Sequence, residues 1–305
     1  MTINTRVANY AGLLFLSAIW GSSFLFIKLS IETIHPSFLT FLRLLIASFF
    51  LYVYLKIVKK KTLSFNKNFR YLLLIALFGN VIPFNLISWC EIKVDSVIVA
   101  ILIGTMPFFT FLISHYFFKF EKINLSIIIG LILGFIGMSL IVKENSYEDL
   151  MSENLNYYLN IVIIFSAMCY AFAANCVNKI KNVDSIEIAT TTTIVATVIS
   201  LPIYFLLINY PLTNLGYSMQ STSFKSLISC FFLGFMCTGV AILVFFNLIK
   251  KESPGFASQS NFFIPCFGLL WSYLFLNENI NLSIVLNLIL IVAGVFFVHK
   301  GRRQN

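Results

Sequence analysis

The sequence predicts an all-α integral membrane fold, with ten transmembrane helices forming two inverted five-helix repeats. Three observations carry that prediction: long unbroken apolar runs, positive charge confined to alternate connections, and a short segment that recurs in the second half. Of the 305 residues 59% are hydrophobic and only 11% are charged, whereas soluble domains carry about 25% charged residues because their surfaces meet water. The apolar residues stand in long runs, not in one-faced or alternating patterns, so the surface they build faces lipid.

Crossing a hydrocarbon core of about 30 Å takes about 20 helical residues, and backbone polar groups in lipid have to pair within the segment. The runs then fall at 8–29, 37–57, 69–89, 96–118, 123–142, 157–178, 187–208, 223–248, 255–277 and 281–299. The first, Ala8 to Leu29, follows Arg6 but ends without a small-x-small cleavage site, so it reads as an uncleaved helix and not as a signal peptide. Only a few residues join the fourth run to the fifth and the ninth to the tenth, which makes each pair an antiparallel hairpin.

Of the 21 Lys and Arg residues, all but Lys28, Arg43, Lys93, Lys143 and Lys225 fall at the N-terminus, the C-terminus or every second connection. The intervening connections are acidic, through Glu32, Glu91, Asp95, Glu144, Glu148, Asp149, Glu153 and Glu278. The positive-inside rule places both termini in the cytoplasm of a cell whose inner membrane the chain crosses. Topology thereby accounts for the formal net charge of +9, and no nucleic-acid partner is implied. The six cysteines form no Cys-x-x-Cys pair and no metal spacing with histidine, and they read as small buried residues.

The segment Glu121-Lys-Ile-Asn-Leu-Ser-Ile127 recurs as Glu278-Asn-Ile-Asn-Leu-Ser-Ile284. Each copy follows a run with a proline, Pro107 or Pro265, and precedes a run with a late glycine, Gly137 or Gly294. Duplication accounts for this better than shared composition does. It divides the chain into a first repeat, 1–142, an acidic external linker, 143–156, and a second repeat, 157–305, ending in a short basic cytoplasmic tail. An odd number of spans per repeat forces the second copy to enter the membrane upside down. Inverted repeats of this kind recur in secondary transporters, with the substrate near the midplane between halves.

The chain also resembles the drug/metabolite transporter superfamily, in particular its EamA branch of ten-helix exporters and permeases. In the first half the matching residues are Trp20-Gly21-Ser22-Ser23-Phe24 with Lys28, Leu42-Arg43-Leu44, Met106-Pro107 and Glu121. In the second they are Tyr170-Ala171, Ile264-Pro265, Glu278 and Ala293-Gly294. The resemblance covers nearly the whole chain through the order and spacing of these motifs. It implies transport of small solutes such as amino acids, nucleotide-like metabolites or drugs, without specifying the cargo. The linker is longer and more acidic than a minimal connection between repeats, and it reads as a solvated loop.

A charge inside a span costs about 2.5–3.5 kcal/mol on insertion scales unless paired or hydrated, which singles out Arg43 and Lys28. Lys28 is read first as snorkelling to the surface. For Arg43 two readings stand open: a structural pairing with Glu32 or a helix-end carbonyl, or a place in the cavity, where it would favour a carboxylate or phosphate. Trp20 is expected to wall the pocket, its ring stacking on substrate while its N–H finds a partner, and Tyr170 is its counterpart. Amides are costly in lipid, so Asn80, Asn85, Gln259 and Asn261 are expected to point inward, either as substrate contacts or as helix-to-helix glue. Ser23, Thr105 and Asn175 complete the substrate-binding candidates, and Pro107 and Pro265 are hinge candidates.

Glu91, Asp95 and Glu187 sit at helix ends, and Glu121 and Glu278 in turns, which argues against a proton relay through a buried carboxylate. His115 could titrate near neutral pH but lies toward the cytoplasmic end. No Gly-x-x-x-x-Gly-Lys-Ser/Thr loop is present, so no ATP-driven step and no cofactor is expected. The expected partners are membrane lipid and a small-molecule substrate, with self-association into a homo-oligomer left open. The function expected is secondary transport by alternating access and not catalysis. The competing class is a membrane-embedded lipid-modifying enzyme, which needs convergent acid, histidine or metal-ligating groups, and His35, His115 and His299 are scattered. A sensor or assembly subunit is a third class, but no attached soluble domain is available to carry a signal.

Overall fold

The computed structural model describes residues 3–58, 68–145, 154–208, 222–276 and 282–303. Most of the basic connection at 59–67, the centre of the expected linker and the start of the second repeated segment, including Glu278, lie outside the described residues. Among the described residues every regular element is helical. Seven helices are long and apolar enough to cross a membrane: Arg6–Ile31, Pro36–Ile57, Phe69–Cys90, Ile98–Phe118, Tyr158–Lys179, Ser185–Leu207 and Phe224–Lys251. Leu125–Gly137 is a shorter apolar helix. The expected ninth and tenth spans are helical but do not meet the same length and apolarity among the described residues.

The first two spans are α1 (Ile3–Ile31) and α2 (Pro36–Val53), the latter closing in a π turn at Tyr54–Val58. The third is interrupted: α3 (Phe69–Ala76) passes through a π turn at Leu77–Val81 into α4 (Ile82–Cys90). Pro83, in the first turn of α4, has no N–H to return to the carbonyl four residues back, so the ladder widens there. The fourth span breaks at Gly104 and Thr105 between α5 (Ser96–Ile103) and α6 (Met106–Ile113). Pro107 stands in the first turn of α6 and again withholds a donor.

Then come α7 (Leu125–Asn145), α8 (Asn154–Lys179) and α9 (Ser185–Leu207). The long apolar helix Phe224–Lys251 is interrupted as Phe69–Cys90 is, with α10 (Phe224–Gly234), a π turn at Phe235–Val240 and α11 (Ala241–Lys251). No proline causes this turn. Instead the Thr238 hydroxyl donates to the carbonyl of Leu233, five residues back, at 2.8 Å. The chain ends with α12 (Pro254–Ser258), a break at Gln259, α13 (Ser260–Leu276), which contains Pro265, and α14 (Leu282–Arg303).

The halves interlock instead of sitting side by side. The helix α1 packs on α13 and on α10 and α11, while α8 packs on α6 and on α3 and α4. The helix α2 packs on α9, and α7 on α14. That last pair is a backbone contact through glycines: a Cβ placed on Gly294 would lie 2.6 Å from the Gly134 nitrogen and 2.7 Å from the Gly130 oxygen. Within lipid such close approach through small residues drives helix association, because apolar burial supplies no difference between lipid and protein.

Candidate functional site

Between these interlocked elements lies a partly open cavity. Its lining comes from both halves: α1, α2, the π turn before α4, α4 itself and α5–α6 on one side, α8, the π turn before α11, α11 and α13 on the other. Most lining groups are apolar or aromatic, with a few polar groups converging on them, as is usual for small-molecule sites.

The π turn at Phe235–Val240 shapes one wall. Widening the ladder frees the Cys237 carbonyl, which accepts the Trp20 indole N–H at 3.2 Å, and the Trp20 ring lies 5.1 Å from that of Phe245. The next residue, Thr238, accepts Nε of Arg43 at 3.1 Å. One irregular turn thus fixes both the aromatic ring and the cation.

Arg43 is 4% exposed, and its guanidinium carbon lies 3.7 Å from the centre of the Phe84 ring. The cation–π contact and the single bond to Thr238 hold the group in place. Its two terminal nitrogens make no hydrogen bond to protein among the described residues, and the side chain lines the cavity. Arg43 does not pair with Glu32, which instead meets Lys225 at 3.1 Å on the surface. Of its two open readings, the geometry therefore places it at the cavity. A planar fork with free donors in a low-dielectric site matches a carboxylate or phosphate.

Also lining the cavity, the π turn at Leu77–Val81 carries Asn80, whose amide donates to the Ile75 carbonyl at 3.4 Å and whose side-chain oxygen is buried without a partner among the described residues. Asn261 donates to the Ser258 carbonyl at 3.0 Å and to Met106 Sδ at 3.3 Å. Ser23 bonds the Trp20 carbonyl, and the Tyr170 ring stands 6.3 Å from that of Phe84. Trp20, Ser23, Arg43, Asn80, Tyr170 and Asn261 are thus brought together around one cavity.

The other four candidates lie outside its lining, each bonded to nearby backbone. Asn85 donates to the Val81 carbonyl, Thr105 to Leu102, Asn175 to Ala171 and Thr110, and Gln259 to Gly255. Pro107 and Pro265 are buried. The nearby breaks come at Gly104, three residues before Pro107, and at Gln259, six residues before Pro265. Lys28 departs from the snorkelling reading, since its ammonium turns inward to donate to the Glu91 carbonyl at 2.7 Å. Phe84, Phe245 and Thr238 were not foreseen. In a chain with 34 phenylalanines a cavity-facing ring carries no mark that separates it from a lipid-facing one.

Known proteins resemble this chain in sequence and in fold. The model of the EamA-like transporter family matches residues 9–143 and 158–299. An uncharacterized transporter, YoaV, of Bacillus subtilis is 25% identical over 93% of this chain and 94% of its own. An uncharacterized transporter of Buchnera aphidicola subsp. Schizaphis graminum is 29% identical over 85% and 83%. Protein PagO of Salmonella typhimurium is 26% identical over 94% and 91%. A solved crystal structure, only 12% identical, superimposes with a TM-score of 0.74 over 97% of this chain and 98% of that one, which shows the shared fold.

Proposed function

The chain belongs to the EamA-like transporter family, and from that premise we propose that it moves small metabolites bearing a carboxylate, amino acids among them, by alternating access around the cavity that Arg43 enters. It is a multi-pass membrane protein. The observation that carries the cargo class is the buried guanidinium whose terminal donors are unused in a cavity of aromatic and aliphatic walls. Leaving such donors empty is costly, and an anionic or zwitterionic cargo with an apolar body satisfies both the fork and the rings.

Two inverted five-helix repeats, with both termini cytoplasmic in the inner membrane, belong to the same proposal. The packing supports them. Exchanging each first-half span for the one five further on turns the pairing of α1 with α13 into that of α8 with α6, and the pairing of α1 with α10–α11 into that of α8 with α3–α4. The pairs α2–α9 and α7–α14 map onto themselves. The irregular turns obey the same exchange, the third and eighth spans carrying π turns and the fourth and ninth carrying breaks. Interrupted helices at corresponding places in two halves mark transporter binding sites. The family match, in two blocks separated by 144–157, fits the same division.

The test is flux from proteoliposomes loaded with a metabolite mixture. Wild-type protein should deplete carboxylate-bearing solutes, and Arg43→Gln should lose these more than neutral ones. Folded protein that moves no solute but chemically alters a lipid would move the reading to a membrane enzyme.

A further inference from the structure

Glu91 is the first residue past α4, a helix end that by sequence borders water. It is instead fully buried, 0% exposed, and neither carboxylate oxygen has a hydrogen-bond partner among the described residues. It lies one turn beyond Ile87 and two beyond Phe84, both of which line the cavity, so it caps the same face of α4. The elements packed around it contribute two cations. From α1 the Lys28 ammonium reaches its backbone carbonyl, and α2, which packs on α4, carries Arg43 on the Phe84 ring at the cavity that this face of α4 borders. Ser96, at the start of α5, lies beside it, and Cys90 is its titratable neighbour on α4, its thiol directed to the Leu159 carbonyl of α8 at 3.7 Å. No ion pair within 4.0 Å involves Glu91 among the described residues.

We propose that Glu91 is the proton-binding site of this transporter, loaded together with the anionic group that Arg43 receives, so that one proton travels with each carboxylate. The proposal rests on the reading of Arg43 given above. Burial penalises the ionised form and pushes the Glu91 carboxyl well above its ordinary range, while Lys28, Arg43 and the neighbouring Ser96 hydroxyl pull it back. A cargo carboxylate seated on the guanidinium cancels the field of Arg43 at Glu91 and raises its midpoint further, so at a pH between the empty-site and loaded-site midpoints the carboxylate of Glu91 takes up a proton from water. By linkage the reverse holds with the same factor: a protonated Glu91 strengthens anion binding at Arg43. No bond in the cargo changes. Loaded and empty sites carry the same net charge, because one proton and one negative charge enter together, and neither form exposes an uncompensated ion during the conformational change.

The first experiment needs no cargo. Infrared titration of the detergent-solubilised full-length protein should show the carbonyl band of a buried carboxylic acid that Glu91→Gln removes and Glu91→Asp displaces. With Glu91 intact, Arg43→Gln should raise the midpoint of that band by about one pH unit or more, since a neighbouring cation lowers a carboxyl pKa by about one to three units. Benzoate, the simplest ring with a carboxylate, should raise the midpoint in wild type and leave it unmoved in Arg43→Gln. In proteoliposomes an inward proton gradient should drive accumulation of the carboxylate solutes found in the flux screen, and Glu91→Gln should abolish the drive.

A missing Glu91 band, or a midpoint indifferent to Arg43→Gln, overturns the proton site. Carboxylate flux that ignores the proton gradient overturns it too, while leaving the transport reading intact. A Glu91 band coupled to Arg43 in protein that moves no solute keeps the proton site and overturns transport.

Discussion

The guanidinium carbon of Arg43 lies 3.7 Å from the centre of the Phe84 ring, and its Nε donates to Thr238 at 3.1 Å. The first contact joins α2 to α4 and the second joins α2 to the π turn before α11. One side chain of the first half is thereby held by residues of both halves. A local movement of either irregular turn would displace the guanidinium proposed to receive the cargo, which is a concrete route from conformational change to altered affinity.

Arg43→Lys should be nearly as damaging as Arg43→Gln. Lysine keeps the charge but loses the fork and the flat face that lies on Phe84. Hydrogen bonds to charged groups contribute about 1.5–3 kcal/mol, so kcat/KM for carboxylate cargo should fall about ten- to a hundredfold in either variant. Phe84→Leu should cost less, within the range of about 0.5–2 kcal/mol for a cation–π contact. A lysine variant with wild-type flux would show that charge alone is read.

Gly294→Val should destabilise the protein. Its Cβ would meet the Gly134 nitrogen at 2.6 Å and the Gly130 oxygen at 2.7 Å, and the backbones of α7 and α14 would have to part. Overpacking of this kind costs about 1–3 kcal/mol. Gly268→Ala is the control, since the nearest atom to its added Cβ is the Gly21 oxygen at 3.9 Å. Thermal unfolding in detergent should show a lower midpoint for the first and little change for the second.

Much of this arrangement was legible because lipid imposes a one-dimensional rule: apolar length reads as a span and basic clusters read as a side. Arg43, Trp20 and Tyr170 stood out for the same reason, being large polar or amphipathic groups inside apolar runs. Asn85, Thr105, Asn175 and Gln259 stood out equally, yet each donates to helix backbone nearby, a local bond that composition does not reveal, while the side-chain oxygens of Asn85, Asn175 and Gln259 are buried without a partner among the described residues. The π turn at Phe235–Val240 has no proline to announce it. Glu91 was read as a helix-end group near water, because the closing of α1, α2 and α5 over it is a tertiary event with no local signature.

The end of the helix bundle that carries Glu121 should respond to pH through that residue. Burial pushes this carboxyl up, against the pull of Arg302, whose Nε lies 3.5 Å from it, and of Ser253. An acid whose folded pKa exceeds its unfolded one adds stability that is full below the unfolded pKa and declines as pH rises through the folded one. The wild-type unfolding midpoint should therefore fall on going from mildly acid to neutral pH, and Glu121→Gln should flatten that slope and be the more stable at neutral pH. A steeper slope in the variant would reverse the sign assigned to burial.

Cysteine labelling separates the ten-span topology from a seven-span one. Lys93 and Lys181 are both exposed. With ten spans three crossings separate them, whereas counting only the seven long apolar helices leaves two, Ile98–Phe118 and Tyr158–Lys179. The crossing in question is α7, which the seven-helix count omits. The native cysteines are free, and all but Cys266 are buried, so a membrane-impermeant maleimide should give low background on intact cells. Lys93→Cys should label from outside and Lys181→Cys only after the membrane is opened. Labelling of both from the same side would remove α7 as a crossing, and with it the odd number of spans that inverts the second half.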